Sequence, residues 1–298
     1  MSLFQNSENV IVIRVDEDGK TLGKYLLEKD ISSRLLKKMF KEKTIYVNGQ
    51  KARKKQILKS GDIISLVIED EVENSIPEPI DLDIIYEDYD ILVLNKQPYM
   101  VVHPTRSHQQ NTISNGISYY FKSKGINRKI RFVNRLDMNT SGILIVAKSA
   151  FAHQQLALQF LRNEVEKKYI AVVDGVVEKD EDVIDLPIGR VDSLDIRRAV
   201  MDDGEHAITK YRVLERYDNA TLLDVQIFTG RTHQIRVHLN HIGHPIIGDS
   251  LYNKESAMIG RQALHSYYMK LKLPRDGREV EFKAPIPEDI RNLIEYLK

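Results

Sequence analysis

Residues Arg131 to Lys148 read RFVNRLDMNTSGILIVAK, with an unbroken apolar run, Ile143 to Ala147, entered through Thr140-Ser141-Gly142. Such a run behind turn residues suggests a loop leading into a buried strand, and strands of that kind are where functional loops are commonly anchored. The loop carries a single carboxylate, Asp137, among basic and small residues, with Arg135 two positions before it. The plainer alternative is that Asp137 accepts hydrogen bonds from the Thr140 and Ser141 turn, as aspartates often do. On this fragment alone that alternative is favoured.

Length permits more than one domain: 298 residues, 42% of them hydrophobic, can bury a sizeable core. There is no apolar run of about 18 residues, and the N-terminal MSLFQNSENV has neither a basic leader nor an apolar signal core, so a cytoplasmic, membrane-free protein is expected. Zero cysteines exclude disulfides, thiolate metal sites and cysteine nucleophiles. The net charge of +1 hides a strong segregation. Ten basic residues lie between Arg34 and Lys59 against Glu42 alone, whereas Glu69 to Asp90 holds ten acidic residues and no basic one. The first block is an electrostatic footprint for a phosphate backbone, and Arg34, Lys37, Lys38, Lys41, Arg53, Lys54 and Lys55 are its candidate contacts. The second, with Pro77 and Pro79, reads as a solvated interdomain linker over residues 71–81.

In the segment before that linker, residues 11–70, Thr21 to Leu27 suggests a short helix, and Ser32 or Ser33 can cap a second, Arg34 to Lys43. Thr44 to Val47 reads as a strand, Asn48-Gly49 as a hairpin turn, and Ile63 to Ile68 as a further strand. Beyond it, residues 82–298, strands are expected at Leu82 to Tyr86, Ile91 to Asn95, Ile143 to Ala147, Tyr169 to Val173, Ile208 to Leu214, Thr221 to Phe228 and Gln262 to Lys270. Helices are expected at Thr112 to Phe121, Ala150 to Asn163, His233 to His241 and Glu288 to Leu297. Without regular strand-helix alternation, the expected class is α+β, with a mixed, largely antiparallel central sheet beside the small N-terminal domain.

A second fragment, Thr229 to Leu239, TGRTHQIRVHL, places Arg231, His233, Arg236 and His238 on a turn opening a helix. Together the two fragments resemble the signatures of the RluA/RluD-type pseudouridine synthases. Further pieces agree in order: Asn95-Lys96-Gln97-Pro98 with Val102-His103-Pro104, Lys168-Tyr169-Ile170-Ala171 with Gly175, Gly243-His244-Pro245-Ile246 with Gly248-Asp249, and Ala263-Leu264-His265. The family usually has His where this chain has Asn134. The N-terminal order and its VNG…K…GD pattern are similar to the αL-type RNA-binding domain that a ribosomal small-subunit protein shares with several ribosomal-RNA synthases.

The resemblance implies a catalytic cleft crossed by the Asp137 loop, and isomerisation of uridine to pseudouridine within structured RNA, without metal, ATP or other cofactor. The base leaves the sugar, turns, and reattaches through ring carbon five. Asp137 would attack the sugar or take a sugar proton. Arg231 would keep it charged and oriented, as a neighbouring guanidinium does. Tyr169 would stack on the base and help carry the proton from carbon five, Ile235 would form an apolar floor, and Asn134 would lie by the substrate. A paired uridine must be swung out first. Arg135, on the same loop, would fill the gap, with Lys122, Lys124, Arg128, Lys129 and Arg131 meeting phosphates nearby. Ribosomal RNA is favoured over transfer RNA, and a monomer is the default.

The sequence admits two other readings. His233, His238, His241 and His244 cluster within twelve positions, but neither an HExxH pattern nor an obvious carboxylate ligand accompanies them, so a metal hydrolase is disfavoured. A non-catalytic RNA-binding or ribosome-assembly factor on the same fold has only Asn134 in its support.

Overall fold

The computed structural model describes residues 2–104, 109–192 and 195–298. Its N-terminal unit consists of β1 (Val10–Arg14), α1 (Leu22–Glu28), α2 (Ser33–Glu42), β2 (Ile45–Val47), β3 (Gln50–Lys51) and β4 (Ile63–Val67). The four strands form an antiparallel sheet ordered β1-β4-β2-β3. The Ser32 hydroxyl caps α2 by accepting from Leu35 N, as its sequence suggests. β1 was not anticipated: VIVIR is too short and uniform to show alternation.

The rest of the chain follows as β5 (Ile84–Glu87), β6 (Ile91–Lys96), α3 (Ile113–Ser123), β7 (Arg131–Phe132), β8 (Ser141–Ala147), α4 (Ala150–Leu161), β9 (Glu166–Asp174), β10 (Glu181–Asp185), β11 (Ile188–Arg190) and β12 (Arg198–Val200). It ends with β13 (Ile208–Arg216), β14 (Ala220–Ile227), α5 (Gln234–His241), β15 (Leu264–Lys272), β16 (Glu279–Lys283) and α6 (Glu288–Leu297). A ten-stranded sheet runs β10-β13-β14-β9-β15-β8-β6-β5, with β16 added to β15 and β7 to β8. Among the described residues its one parallel pairing is β15 with β8, so the α+β, largely antiparallel expectation holds.

Strand β8 shows why its sequence is continuously apolar. Leu144 and Val146 join the core on one face, where α3, α5 and α6 contribute, while Ile143 and Ile145 join Ile91, Val93, Leu156 and Met269 on the other. Burial on both faces removes the usual alternation. Gly142, the second residue of β8, has φ 112°, and a Cβ there would stand 2.1 Å from Ser266 O. Glycine is required for so close an approach of β15.

Residues 71–81 join the two units without helix or strand, and although none of them is fully buried the segment is pinned to its surroundings, not freely solvated. Glu71 pairs with Arg131 at 2.6 Å, Glu73 accepts from Ile130 N at 2.6 Å, Ser118 donates to Ser75 O at 2.8 Å, and Asn115 Nδ2 donates to Ile76 O at 2.8 Å. The acidic segment is thus a strap laid along α3 and β7. Arg128, 2% exposed, donates to Glu69 O, Asp70, Glu8 O and Asn9. Arg128 and Arg131 therefore tie the strap and the N-terminal unit to the large sheet, and the expectation that they meet phosphates is corrected. Arg275 strengthens this junction through a bidentate pair with Asp90 and bonds to Ser7 O and Val10 O, while Phe151 of α4 enters the N-terminal core. No helix among the described residues is long and apolar enough to cross a membrane.

Candidate active site

The Asp137 loop is held at its backbone before any side chain is aimed. Asn134 Nδ2 donates to Ile143 O at 3.0 Å, and its Oδ1 accepts from Ile145 N at 2.8 Å, so the amide extends the β7–β8 ladder. Its donor and acceptor are thereby engaged on backbone, which corrects the expectation that Asn134 meets substrate. Past the loop tip, Lys96 Nζ donates to Met138 O at 2.9 Å and to Gln97 O at 2.8 Å, and Arg261 donates to Asn139 O at 3.0 Å while paired with Asp289. Burial, reinforced by the Arg261 charge, pushes the Lys96 ammonium down to about 7. Thr140 N donates to the backbone oxygen of Asp137. The aspartate side chain is therefore not spent on the turn.

It points instead at α5. Arg236 Nη1 donates to Asp137 Oδ2 at 2.8 Å, and the same guanidinium forms a bidentate pair with Asp249 through Nε at 2.7 Å and Nη2 at 2.8 Å. Asp249 is wholly buried, and the Arg236 side chain is 8% exposed, against 30% for Asp137. Burial alone would lower the Arg236 pKa, but the bonds and charges of Asp249 and Asp137 outweigh it and hold it above the ordinary arginine value. The expected partner, Arg231, lies elsewhere: it donates to His206 O at 2.9 Å and pairs with Glu205 on the surface. Arg231 precedes the helix, whereas Arg236 sits inside it between buried Ile235 and Val237. A charge within an apolar helical stretch requires a buried carboxylate, and that signal would have chosen Arg236.

Gln234 fixes the turn before α5, accepting from Thr229 Oγ1 and Arg231 N and donating to Ile208 O and Thr209 Oγ1. His233 caps the helix in the left-handed conformation, φ 59°. Its Nδ1 lies 2.9 Å from Tyr252 Oη and its Nε2 3.8 Å from Asp137 Oδ2. His238 bonds Thr209 Oγ1 and Leu186 O, which is core hydrogen bonding. No group of three or more His, Cys, Asp or Glu side chains among the described residues is placed to hold a metal ion.

Tyr169 of β9 is buried, in one apolar cluster with Ile235 and Leu136. Burial pushes its phenol up to about 12, and the Asp137 charge adds to the rise. Arg135 projects into solvent from the Asp137 loop. Arg34, Lys37, Lys38, Lys41, Arg53, Lys54 and Lys55 are all exposed, and only Lys38 has an acid, Glu42, within ion-pair distance among the described residues. A cavity of about 600 Å³ lies at the junction with the N-terminal unit, away from Asp137, and Arg128 and Lys148 in its lining are already hydrogen-bonded.

The family model described as RNA pseudouridylate synthase matches residues 90–241, a span containing Asp137, Tyr169, His233 and Arg236. A Bacillus subtilis protein named uncharacterized RNA pseudouridine synthase YjbO is 40% identical over 277 residues, 92% of this chain and 98% of its own length. The ribosomal large subunit pseudouridine synthase D of Pseudomonas aeruginosa is 36% identical over 273 residues, 87% of this chain and 85% of that protein. Among solved structures, human RNA pseudouridylate synthase domain containing 1 superposes with a TM-score of 0.56 at 26% identity, covering 74% of this chain and 96% of that one. The chain therefore belongs to the RluA/RluD-type RNA pseudouridine synthases, enzymes that isomerise uridine in RNA.

Proposed function

We propose that the substrate is large-subunit ribosomal RNA and that Asp137 carries the isomerisation without a cofactor. One observation carries the assignment to Asp137. Its Oδ2 is tied to a buried, doubly paired guanidinium, while no donor among the described residues reaches Oδ1. That is the geometry of an oriented carboxylate with one oxygen free for a ribose, whether it attacks the sugar or removes a sugar proton. Tyr169, with its phenol pushed up to about 12, would work as a neutral stacking face and proton relay, not as a resting phenolate. Ile235 would close the pocket beneath the uracil, and Arg135 would stack in place of the flipped base. The choice of ribosomal RNA is supported by the name of the relative from Pseudomonas aeruginosa and by the exposed basic face of α2 and the loop after β3.

The test is tritium release from a large-subunit transcript labelled at uridine carbon five, with pseudouridine mapped by carbodiimide adducts. Asp137→Ala should abolish release while RNA affinity stays nearly unchanged. Retained turnover would overturn the role of Asp137, and release from transfer RNA alone would overturn the choice of substrate.

A further inference from the structure

His233 occupies a conformation that disfavours any residue with a Cβ, φ 59°, at the start of the helix that supplies Arg236. Its ring lies between two groups. On one side is Tyr252 Oη at 2.9 Å from Nδ1, and on the other Asp137 Oδ2 at 3.8 Å from Nε2. The tautomer follows from the partners of Tyr252. Its oxygen already accepts from Arg198 N at 2.8 Å, so its own proton needs an acceptor, and among the described residues that acceptor is His233 Nδ1. A neutral imidazole that accepts at Nδ1 carries its hydrogen on Nε2, the nitrogen facing Asp137.

We propose, building on the reading of Asp137 as the working carboxylate, that His233 is a positioning residue for it: Tyr252 fixes the imidazole so that Nε2–H and Arg236 together hold Oδ2 and leave Oδ1 directed at the sugar. Burial keeps His233 below the ordinary histidine value, with Arg236 and Arg198 adding to the effect while Asp137 and Asp249 oppose it. Burial likewise holds the Tyr252 proton in place. The imidazole therefore rests neutral, as the tautomer argument requires. The 3.8 Å separation exceeds a hydrogen bond by about 1 Å, and catalytic contacts of this kind tighten when substrate fills the site. Two donors converging on one oxygen also restrict rotation of the carboxylate about its Cβ–Cγ bond, which a single donor does not.

Two amides separate this role from a packing role, because the Gln amide nitrogen overlays imidazole Nε2 whereas that of Asn overlays Nδ1. Rates of tritium release from the labelled large-subunit transcript are measured for His233→Gln, His233→Asn, His233→Phe and Tyr252→Phe, alongside thermal melts and Asp137→Ala. His233→Gln should retain most of kcat. His233→Asn and His233→Phe should lose roughly 10- to 100-fold in kcat with little change in KM, the loss of one hydrogen bond to a charged group. Tyr252→Phe should fall between them, since the imidazole is then free to take either tautomer. Equal activity of the Gln and Asn variants, or full activity of His233→Phe, would overturn the proposal. If His233→Phe does not fold, the Gln and Asn pair and Tyr252→Phe still decide it. Should Asp137→Ala retain turnover, the reading of Asp137 falls instead, and the two failures are told apart.

Discussion

Replacing Arg236 should damage both the fold and the reaction, whereas replacing Arg231 should do little to either. Arg236→Ala leaves Asp249, a side chain 1% exposed, without its bidentate cation. Stranding one member of a buried ion pair costs about 3–5 kcal/mol. The same change removes the donor at 2.8 Å from Asp137 Oδ2, a charge-assisted bond of about 1.5–3 kcal/mol and thus roughly 10- to 150-fold in rate if it is needed in the transition state. Arg231 and Glu205 are 38% and 72% exposed, and such a pair contributes under about 1 kcal/mol. The two effects in Arg236 are separable. Arg236→Met with Asp249→Asn removes both charges and keeps an acceptor for Leu251 N and Tyr252 N, which bond Asp249 Oδ1. The double variant should recover much of the stability measured by urea unfolding while its tritium release remains low. A greater loss of kcat in Arg231→Ala than in Arg236→Ala would refute the reasoning.

Asn134→Ala should cost about 2 kcal/mol in urea unfolding, because Ile143 O and Ile145 N lose their partners in a buried strand; KM should hardly move, and a large KM change with no loss of stability would restore a substrate role. Burial pushes His265 down to about 4 from 6.5, so below pH 6.5 the unfolded chain binds a proton that the native chain refuses. Stability from this group is complete above pH 6.5 and falls by about 3 kcal/mol as the pH drops towards 4. His265→Gln should flatten that part of the pH–stability curve, and identical slopes in the two proteins would contradict it. Lys37→Ala, Lys38→Ala and Lys41→Ala combined should reduce the slope of log affinity against log salt by about 2 for the large-subunit transcript, and an unchanged slope would remove α2 from the RNA interface.

Much of the fold was legible because the core strands carry strong local signals. β6, β8, β13 and β14 fall within a few residues of their expected positions, as do α3, α4, α5 and α6, since each combines an apolar run or face with a clear cap or turn. The elements that escaped are short or depend on a partner. β7 is two residues long, β11 and β12 form a two-stranded sheet of their own, and β16 carries exposed Glu279, Glu281 and Lys283 among its five residues. At the site, the loop of Asp137 and the turn before α5 were visible as fragments, yet the two arginines of TGRTHQIR differ locally only in that Arg236 sits between Ile235 and Val237. Which one meets a carboxylate depends on Asp249, which approaches from a later turn. The acidic strap misled for a related reason. Charge density describes a surface only when opposite charges are absent, and Arg131 and buried Arg128 supply them from far along the chain.

The pairing of Arg236 with two carboxylates also determines what kind of charge the site welcomes. One guanidinium set against Asp137 and Asp249 leaves the trio one negative charge in excess, and a neutral His233 does not cancel it. Such a site is electrostatically poor for a phosphate and well matched to the positive character that a sugar acquires as its base departs. Attraction of the polyanionic strand is thereby left to residues outside the trio. Recruitment and chemistry call for opposite potentials, and on the proposed reading the exposed arginines and lysines outside the trio would supply the first.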